Sequence, residues 1–406
     1  MMYPFSGIIV RFEDAQPNTT DSKDHHPKAD LHVNLWDLRG GHYLDLGMMI
    51  HNIQRVGKVV IDLPWTLRHG SVIDLGGKLD NEKLLTAVFN ESVSYRSASS
   101  ENIAHVTLGS GESETKFTLL RLSANGIELE EIVAGDYSLT RVNISIPKEV
   151  KSTSETEIMD RAYMRLRFRD VPRAVFITEF HPKDRNLLSS SSITHLLDLR
   201  VNVRRGVPDE ILLHDPTLKF PKISKIHVFV IVSRDTELPF HSENYKGCRS
   251  LEDEAIWNYY LGLPGVSNRQ DETIKGYLGY QWSASGKNEN QSVKDLVALG
   301  RFVRTASSTM KSYKFVALML WLGAFGSAIW SVIHSGFIAT RGSNLHFIES
   351  VYAEILSYPW MLWMIFLSVP VLIIHVDAQS ARNLLTWAKQ NARRLKNNLD
   401  RWWGQF

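Results

Sequence analysis

Short runs of alternating apolar and polar residues dominate the first 250 positions of the chain. This period of two is the pattern of half-buried β-strands. It predicts eleven strands separated by turn residues: Gly7–Phe12, Leu31–Leu38, Lys58–Leu63, Ile103–Leu108, Phe117–Leu122, Ile127–Ile132, Val142–Ile146, Met164–Phe168, Val175–Phe180, Leu197–Val203 and Ile226–Val232. So many short strands favour a mainly β fold, a sandwich-like or barrel-like antiparallel domain over residues 1–263.

Local signals add one hairpin and a few helices to this domain. The dipeptide Asn125-Gly126 predicts a two-residue hairpin turn, because both residues readily adopt positive φ. Helical spacing of apolar residues predicts three helices, at Asp80–Phe89, Glu155–Tyr163 and Leu251–Leu261.

Residues 264–314 are predicted to connect this domain to the C-terminal part of the chain. Residues 264–292 are rich in Gly, Asn, Ser and Gln, which is typical of a connecting region. The pattern of Val293–Lys314 predicts a helix that continues into the apolar segment behind it.

Two long stretches without Asp, Glu, Lys or Arg follow: Phe315–Ile333, with nineteen residues, and Ile355–Val376, with twenty-two. A nineteen-residue helix is about 28 Å long, close to the ~30 Å hydrocarbon core of a bilayer. Helices of a soluble core would show a polar face, and these stretches do not. They predict a transmembrane hairpin over residues 315–376, with spans at about 315–335 and 355–376. The lack of charge argues against a proton relay within it.

The distribution of basic residues orients this hairpin. Four basic residues and no acid immediately precede the first span: Arg301, Arg304, Lys311 and Lys314. Six follow the second span, against two acids: Arg382, Lys389, Arg393, Arg394, Lys396 and Arg401. Because basic flanks stay on the cytoplasmic side, both termini are expected in the cytoplasm. A bacterial inner membrane is the expected location, although an endoplasmic-reticulum membrane would give the same pattern.

Residues 377–406 predict a basic amphipathic helix, with one apolar stripe and a row of basic side chains. Such a helix after a cytoplasmic span lies in the membrane interface or packs against the soluble domain. The residues expected to anchor the chain to the membrane are Trp321, Trp330, Trp360, Trp363, Arg393, Arg394, Lys396, Trp402 and Trp403.

Composition excludes several kinds of site. The 406 residues carry a formal net charge of +2, and 44% of them are hydrophobic, which is typical of a globular protein. The single cysteine, Cys248, excludes an internal disulfide and any cysteine-built metal site. No Walker, GxGxxG, HExxH or GxSxG motif occurs, so neither a cofactor nor a metal is expected. Residues 1–300 are net acidic, so non-specific nucleic-acid binding is not expected.

Arginines at alternate strand positions are the one candidate binding constellation. They occur in YMRLRFRD and in LLDLRVNVRR, opposite the apolar residues: Arg165, Arg167, Arg169, Arg200 and Arg204. If the two strands are neighbours, these side chains form a face that binds an anion, since guanidinium groups bind phosphate or carboxylate in pairs of hydrogen bonds. The alternative is an ordinary solvated face with Arg165, Arg167 and Arg169 paired to Asp198 and to the acidic strand Ile127–Glu131.

By architecture alone, a cytosolic β domain on a two-helix hairpin resembles the membrane effectors of bacterial antiphage systems. The resemblance implies a sensor whose ligand or partner drives oligomerisation, after which the spans perturb the inner membrane. One alternative is a passive anchored module that recruits a partner. Another is a membrane-bound enzyme using the strand arginines with His181 or Asp198. Expected partners are the lipid bilayer, further copies or a partner protein, and a small anionic ligand.

Overall fold

Nineteen strands lie in the residues that the computed structural model describes, which are 3–15, 27–98, 101–111, 114–147, 150, 160–180, 191–213, 215–251, 253–262, 273–286, 291–306 and 309–339. The strands are β1 (Gly7–Asp14), β2 (Lys28–Leu38), β3 (Gly41–His51), β4 (Val56–Leu63), β5 (Val72–Asp74), β6 (Val93–Ser97), β7 (Ile103–Leu108), β8 (Thr115–Leu120), β9 (Ile127–Ala134), β10 (Tyr137–Ser145), β11 (Arg161–Phe168), β12 (Ile177–Phe180), β13 (Ser191–Val201), β14 (Leu218–Lys219), β15 (Lys222–Ser233), β16 (Thr236–His241), β17 (Tyr245–Ser250), β18 (Tyr277–Ser285) and β19 (Leu296–Ala306). Each of the eleven predicted strands overlaps one of these, so the alternating pattern is confirmed as a strand signal.

Four α-helices lie in the same residues: α1 (Glu82–Phe89), α2 (Asp209–Leu212), α3 (Glu254–Leu261) and α4 (Thr309–Ala339). The helix predicted at Asp80–Phe89 is confirmed as α1. The Asn81 side chain caps it by accepting a hydrogen bond from the Leu84 amide. The helix predicted at Leu251–Leu261 is confirmed from Glu254 onward, behind the capping Asp253 side chain.

The strands form two mixed sheets. The nine-stranded sheet has the order β16-β19-β13-β1-β4-β10-β9, with β12 added to β13 and β14 to β1. The ten-stranded sheet has the order β17-β18-β15-β2-β3-β11-β8-β7-β6, with β5 added to β11. The prediction of antiparallel sheets is therefore only partly correct, since the pairs β1–β13, β2–β15 and β8–β11 are parallel.

One hydrophobic core draws alternate side chains from both sheets. Val10 and Ile61 of the nine-stranded sheet belong to it, as do Leu46, Leu166 and other residues of the ten-stranded sheet. Burying each sheet on another element is what removes this apolar surface from water. Both sheets lie in one compact unit of the chain, and α4 belongs to a second unit.

The outer face of each sheet is covered as well. Trp257 and Tyr260 of α3, together with Leu84 and Leu85 of α1, pack over the ten-stranded sheet. Ile211 of α2 packs over the nine-stranded sheet. Polar strand positions that a one-sided sheet would expose to solvent are therefore enclosed under these helices.

A buried carboxylate shared by two arginines lies on the outer face of the nine-stranded sheet. Asp62 on the central β4 accepts from Arg11 Nη2 at 2.6 Å and from Arg141 Nε at 2.7 Å. These three side chains are at most 3% exposed. Since one carboxylate faces two guanidinium groups, the remaining charge is met by the α2 carbonyls of Ile211 and Leu212, which accept from Arg141 and Arg11.

Two predictions of local structure are wrong. The Asn125-Gly126 segment is no hairpin turn, because β8 lies in the ten-stranded sheet and β9 in the nine-stranded sheet. It forms a 3₁₀ turn, Ala124–Gly126, that leads from one sheet to the other. The helix predicted at Glu155–Tyr163 ends inside β11, and its residues 155–159 lie outside the described residues.

The predicted connecting region, residues 264–314, also needs correction. β18 lies between β17 and β15, and β19 lies between β16 and β13, so both complete the sheets. A helix beginning at Val293 is wrong because Leu296, Ala298 and Phe302 are buried at a period of two. The residues between them favour a helix locally, but pairing with the neighbouring strands outweighs this local preference.

One helix in the described part of the chain is long and apolar enough to cross a membrane. It is α4, whose stretch Tyr313–Ser331 has nineteen residues and a mean hydropathy of 1.4. The predicted second span, residues 355–376, and the amphipathic tail, residues 377–406, lie outside the described residues. The hairpin itself thus remains a prediction.

Replacing Asp62 tests the buried triad. Asp62→Asn leaves two buried guanidinium groups without their counter-charge, so we expect the free energy of unfolding to fall by about 3–5 kcal/mol. Asp198→Asn is the matched control, because Asp198 forms a partly exposed pair with Arg200 at 2.6 Å and should cost less than about 1 kcal/mol. Urea unfolding of the full chain, followed by tryptophan fluorescence, measures both. Equal losses in the two variants would contradict the assignment.

Candidate functional site

The polar face of β2 lies beside the polar face of β15. On β2, Leu31 and Val33 enter the core between the sheets, so Asp30, His32 and Asn34 point to the outer face. The parallel pairing of β2 with β15 sets Asp30 beside Lys225, His32 beside His227 and Asn34 beside Phe229. The register therefore concentrates polar and titratable side chains on two adjacent strands.

On the other side of β2, a glycine opens a path to a buried arginine. Gly47 of β3 lies opposite His32 on one side and Arg165 of β11 on the other. A Cβ atom at Gly47 would overlap the Tyr163 hydroxyl and lie 3.2 Å from Arg165 Nη1. Because Gly47 has no side chain, Arg165 reaches across β3, and Arg165 Nη2 donates to the Asn34 side-chain oxygen at 2.8 Å.

These side chains line a cavity of about 460 Å³, which we call the polar pocket. Val88 and Phe89 at the end of α1 form part of its wall. Its charged lining comprises four basic and two acidic residues: Arg161, Arg165, Lys225, Arg249, Asp30 and Glu91. A cavity of this size and polarity matches a small-molecule site with an excess of positive charge.

Beneath the pocket, two buried arginines share the single carboxylate of Asp45. Arg167 donates to both carboxylate oxygens, at 2.7 and 2.9 Å, while Arg165 Nη2 lies 4.0 Å from Asp45. Trp36 Nε1 and the Tyr260 hydroxyl also donate to this carboxylate. Burial alone would raise the pKa of Asp45, but the guanidinium groups hold that pKa below its usual value. The cluster therefore carries two positive charges and one negative charge.

Arg165 donates its hydrogen bonds to neutral acceptors. The hydroxyls of Tyr260 and Tyr163 accept from its Nε and Nη1, at 2.6 and 3.0 Å, and Asn34 accepts from Nη2. Arg167, by contrast, also donates to the α3 carbonyl of Tyr260 at 3.1 Å. Arg165 is thus the arginine that lies farther from the shared carboxylate, and it is 1% exposed and borders the pocket.

The two facing histidines are neutral near pH 7. Burial, together with His227 and Arg165, lowers the pKa of His32 to about 3. Burial and the neighbouring Lys225 lower the pKa of His227. The rings lie with their centroids 5.4 Å apart, and each neutral imidazole offers one donor and one acceptor.

Two buried polar atoms of the pocket have no hydrogen-bond partner among the described residues. They are Asp30 Oδ1 and His227 Nδ1. The other carboxylate oxygen of Asp30 accepts from His51 Nε2 at 3.4 Å. Burial alone would raise the pKa of Asp30, but this hydrogen bond and the nearby positive groups hold it below its usual value, so the carboxylate is ionised.

The five predicted anion-binding arginines do not share one surface. β11, which carries Arg165 and Arg167, lies in the ten-stranded sheet, while β13, which carries Arg200, lies in the nine-stranded sheet. Arg165 and Arg167 are buried rather than on a solvated face, because α3 covers them.

The remaining arginines and tryptophans lie elsewhere. Arg169 is exposed, Arg200 pairs with Asp198, and Arg204 lies over the Phe220 ring at 3.9 Å. Of the predicted membrane anchors, Trp321 and Trp330 lie on α4, and Trp330 is 67% exposed. The others lie outside the described residues: Trp360, Trp363, Arg393, Arg394, Lys396, Trp402 and Trp403.

A second charged cluster lies between the two sheets. Arg173 donates to Asp37 of β2 and to Glu179 of β12, at 3.0 and 2.9 Å, and also contacts His195 of β13. It lines a smaller cavity of about 330 Å³. Because its carboxylates are already paired with Arg173 and His42, this cluster joins the sheets and offers less free polar surface than the polar pocket.

Sequence reasoning missed Asp30, His32 and His227. A signal exists, since Asp30-Leu-His32-Val-Asn34 and Lys225-Ile-His227-Val-Phe229 both place polar or aromatic residues at alternate strand positions. These side chains come together only because the two strands, nearly 200 residues apart in the sequence, pair with each other. Residue spacing within each strand does not predict that pairing.

Comparison with known proteins adds no family. No protein-family model and no curated protein matches this chain. Within the described residues, no three His, Cys, Asp or Glu side chains are close enough together to hold a metal ion.

The low pKa of His32 predicts loss of stability in acid. The unfolded chain binds a proton on this residue near pH 6.5 and the folded chain only near pH 3, so stability falls as the pH drops between these values. We expect a loss of about 1 kcal/mol per pH unit below pH 6, reduced in His32→Gln. His227 acts in the same direction, whereas Asp74, whose pKa burial raises to about 6, acts in the opposite direction.

The measurement is therefore the difference between parent and variant. Urea unfolding of both full chains at pH 4.5, 5.5 and 7 isolates the contribution of His32 from those of its neighbours. A parent and a variant that lose stability in parallel would contradict a neutral, buried His32.

Proposed function

We propose that this chain is a membrane-attached sensor whose β domain binds a small anion in the polar pocket. The observation that carries the proposal is the location of Arg165, a buried guanidinium group with neutral acceptors only, beside a cavity rimmed by further cations. Binding is coupled to assembly of the chain or perturbation of the membrane through its apolar helices. A role in bacterial antiphage defence belongs to this proposal.

Electrostatics supports an anionic ligand. The two buried arginines share one carboxylate, so the cluster keeps one positive charge in excess, which an anion in the pocket would offset. Arg161 and Lys225 are exposed at the rim, where they attract anions from solution. The Arg249 guanidinium lies 4.7 Å from the Phe229 ring centroid and adds a third rim cation.

The surface of α4 supports attachment to a bilayer. Many of its large apolar side chains are exposed, including Leu320 at 71% and Trp330 at 67%. Exposed apolar area on this scale is unfavourable in water and is typical of contact with lipid or protein. A lipid bilayer is the occupant that fits the nineteen-residue uncharged stretch Phe315–Ile333.

The second candidate function is a passive anchor that recruits a partner to the membrane. The apolar helix α4 supports an anchor as well as it supports a sensor. The two differ in their effect on the membrane. A voltage-sensitive dye in cells that express the full chain distinguishes them, since depolarisation is expected of an effector but not of an anchor at matched membrane levels. A membrane-bound enzyme is less favoured, because the described residues of the polar pocket indicate no particular reaction.

Phosphate binding tests the pocket directly. Inorganic phosphate should bind the full chain in detergent, and Arg161→Gln should weaken it by about fivefold, the equivalent of about 1 kcal/mol. Lys246→Gln is the matched control, because Lys246 is exposed on β17 outside the pocket lining. Isothermal titration calorimetry measures both variants. Absent phosphate binding, or equal weakening by the two substitutions, would overturn the proposed site.

Thiol labelling tests the membrane assignment of α4. In a Cys248→Ser background, Leu322→Cys places the only thiol at the middle of the apolar stretch, where a membrane-impermeant maleimide should react only after detergent is added. Val133→Cys is the control, since Val133 is 70% exposed on β9 and should label at once. Inverted membrane vesicles present the cytoplasmic face to the reagent. Equal labelling of both positions without detergent would exclude a bilayer around α4.

A further inference from the structure

We infer that the ligand of the polar pocket is a zwitterion, an anion that also carries a primary ammonium group. This inference rests on the proposed anion site and names the ligand class that fits it. The anionic group faces Arg165 and the rim cations, and the ammonium group faces Asp30 and His227.

The first support is the pair of buried atoms at the β2–β15 end of the pocket. Asp30 Oδ1 accepts no hydrogen bond from the described residues, and His227 Nδ1 likewise has no partner among them. Leaving buried polar atoms without a partner costs free energy, so such atoms indicate a group that supplies the missing hydrogen bond. A carboxylate oxygen can only accept, so a ligand that satisfies it has to carry a donor.

The second support is the charge at this end. Asp30 is ionised and contacts His51, and His32 and His227 are neutral, so the immediate surroundings of the ammonium group are a carboxylate and three imidazoles. Lys225 is the nearest competing cation. Its side chain is exposed and forms no ion pair with Asp30 in the described structure, where the carboxylate pairs with His51 instead.

The third support is the separation of the two ends. Asp30 lies on β2 and Arg165 originates on β11, with β3 between them, so the two strands are about 10 Å apart at the usual strand spacing. Arg165 extends across Gly47 toward Asn34, which follows Asp30 by four positions on β2, so the guanidinium and the Asp30 carboxylate lie at different ends of the pocket. Both residues line the polar pocket, so one ligand with two separate charged groups can contact both ends.

The test compares two phosphate monoesters that both carry a cationic nitrogen, of which only one has N–H donors. These are 2-aminoethyl phosphate and its trimethylammonium analogue, phosphocholine, titrated into the full chain in detergent. A charge-assisted hydrogen bond predicts that the aminoethyl ester binds at least about tenfold more tightly. Asp30→Asn should abolish this preference, whereas Glu91→Gln, which removes another acid of the pocket lining, should keep it.

The outcomes separate this inference from the proposed function. Equal affinity for the two esters in the parent chain would overturn the zwitterion and leave the anion site intact. Absence of binding by both esters and by inorganic phosphate would overturn the anion site itself. The probe pair is decided on the parent chain, so a variant that fails to fold does not affect the result.

The source of such a ligand is resolved by a third probe. Glycerophosphoethanolamine has the phosphodiester of a lipid headgroup, while 2-aminoethyl phosphate is a free monoester. Tighter binding of the diester identifies a lipid headgroup as the ligand source, and tighter binding of the monoester identifies a soluble phosphate. Either result supports the zwitterion.

Discussion

Each sheet of this protein buries two guanidinium groups against a single carboxylate, and much of the remaining structure compensates for that imbalance. Asp62 serves Arg11 and Arg141, and Asp45 serves Arg165 and Arg167. Buried charges are tolerated only when partners satisfy them. On both sheets a short helix covers the cluster, and a carbonyl near its C-terminal end, where the helix dipole is negative, accepts from an arginine.

The two clusters differ in how completely the charge is compensated. Both arginines beside Asp62 reach a carbonyl of α2, whereas in the Asp45 cluster only Arg167 reaches a carbonyl of α3. Arg165 is left with two tyrosine hydroxyls and an amide oxygen, and it is the arginine that borders the polar pocket. This difference between two otherwise similar clusters is the basis for proposing a binding site on the outer face of the ten-stranded sheet.

Sequence patterns predicted the strands well and their partners poorly. Alternation reflects burial of one face, which is a local property, so Leu166 and Phe168 were correctly placed in the core. Whether the opposite face meets solvent or a helix depends on elements far along the chain, and the polar face of β11 is covered by α3, about 90 residues later. The same long-range pairing, His32 with His227, creates the candidate site and escapes any local pattern.

The position of β13 constrains the order in which the domain can assemble during synthesis. One neighbour of this strand is β1, which begins at Gly7, and the other is β19, which ends at Ala306. Chains fold from the N-terminus as they are made, and pairing across such a sequence separation is slow. Since α4 begins at Thr309, the ribosome synthesises this last inner strand immediately before the apolar helix. Completion of the sheet and synthesis of that helix therefore coincide in time.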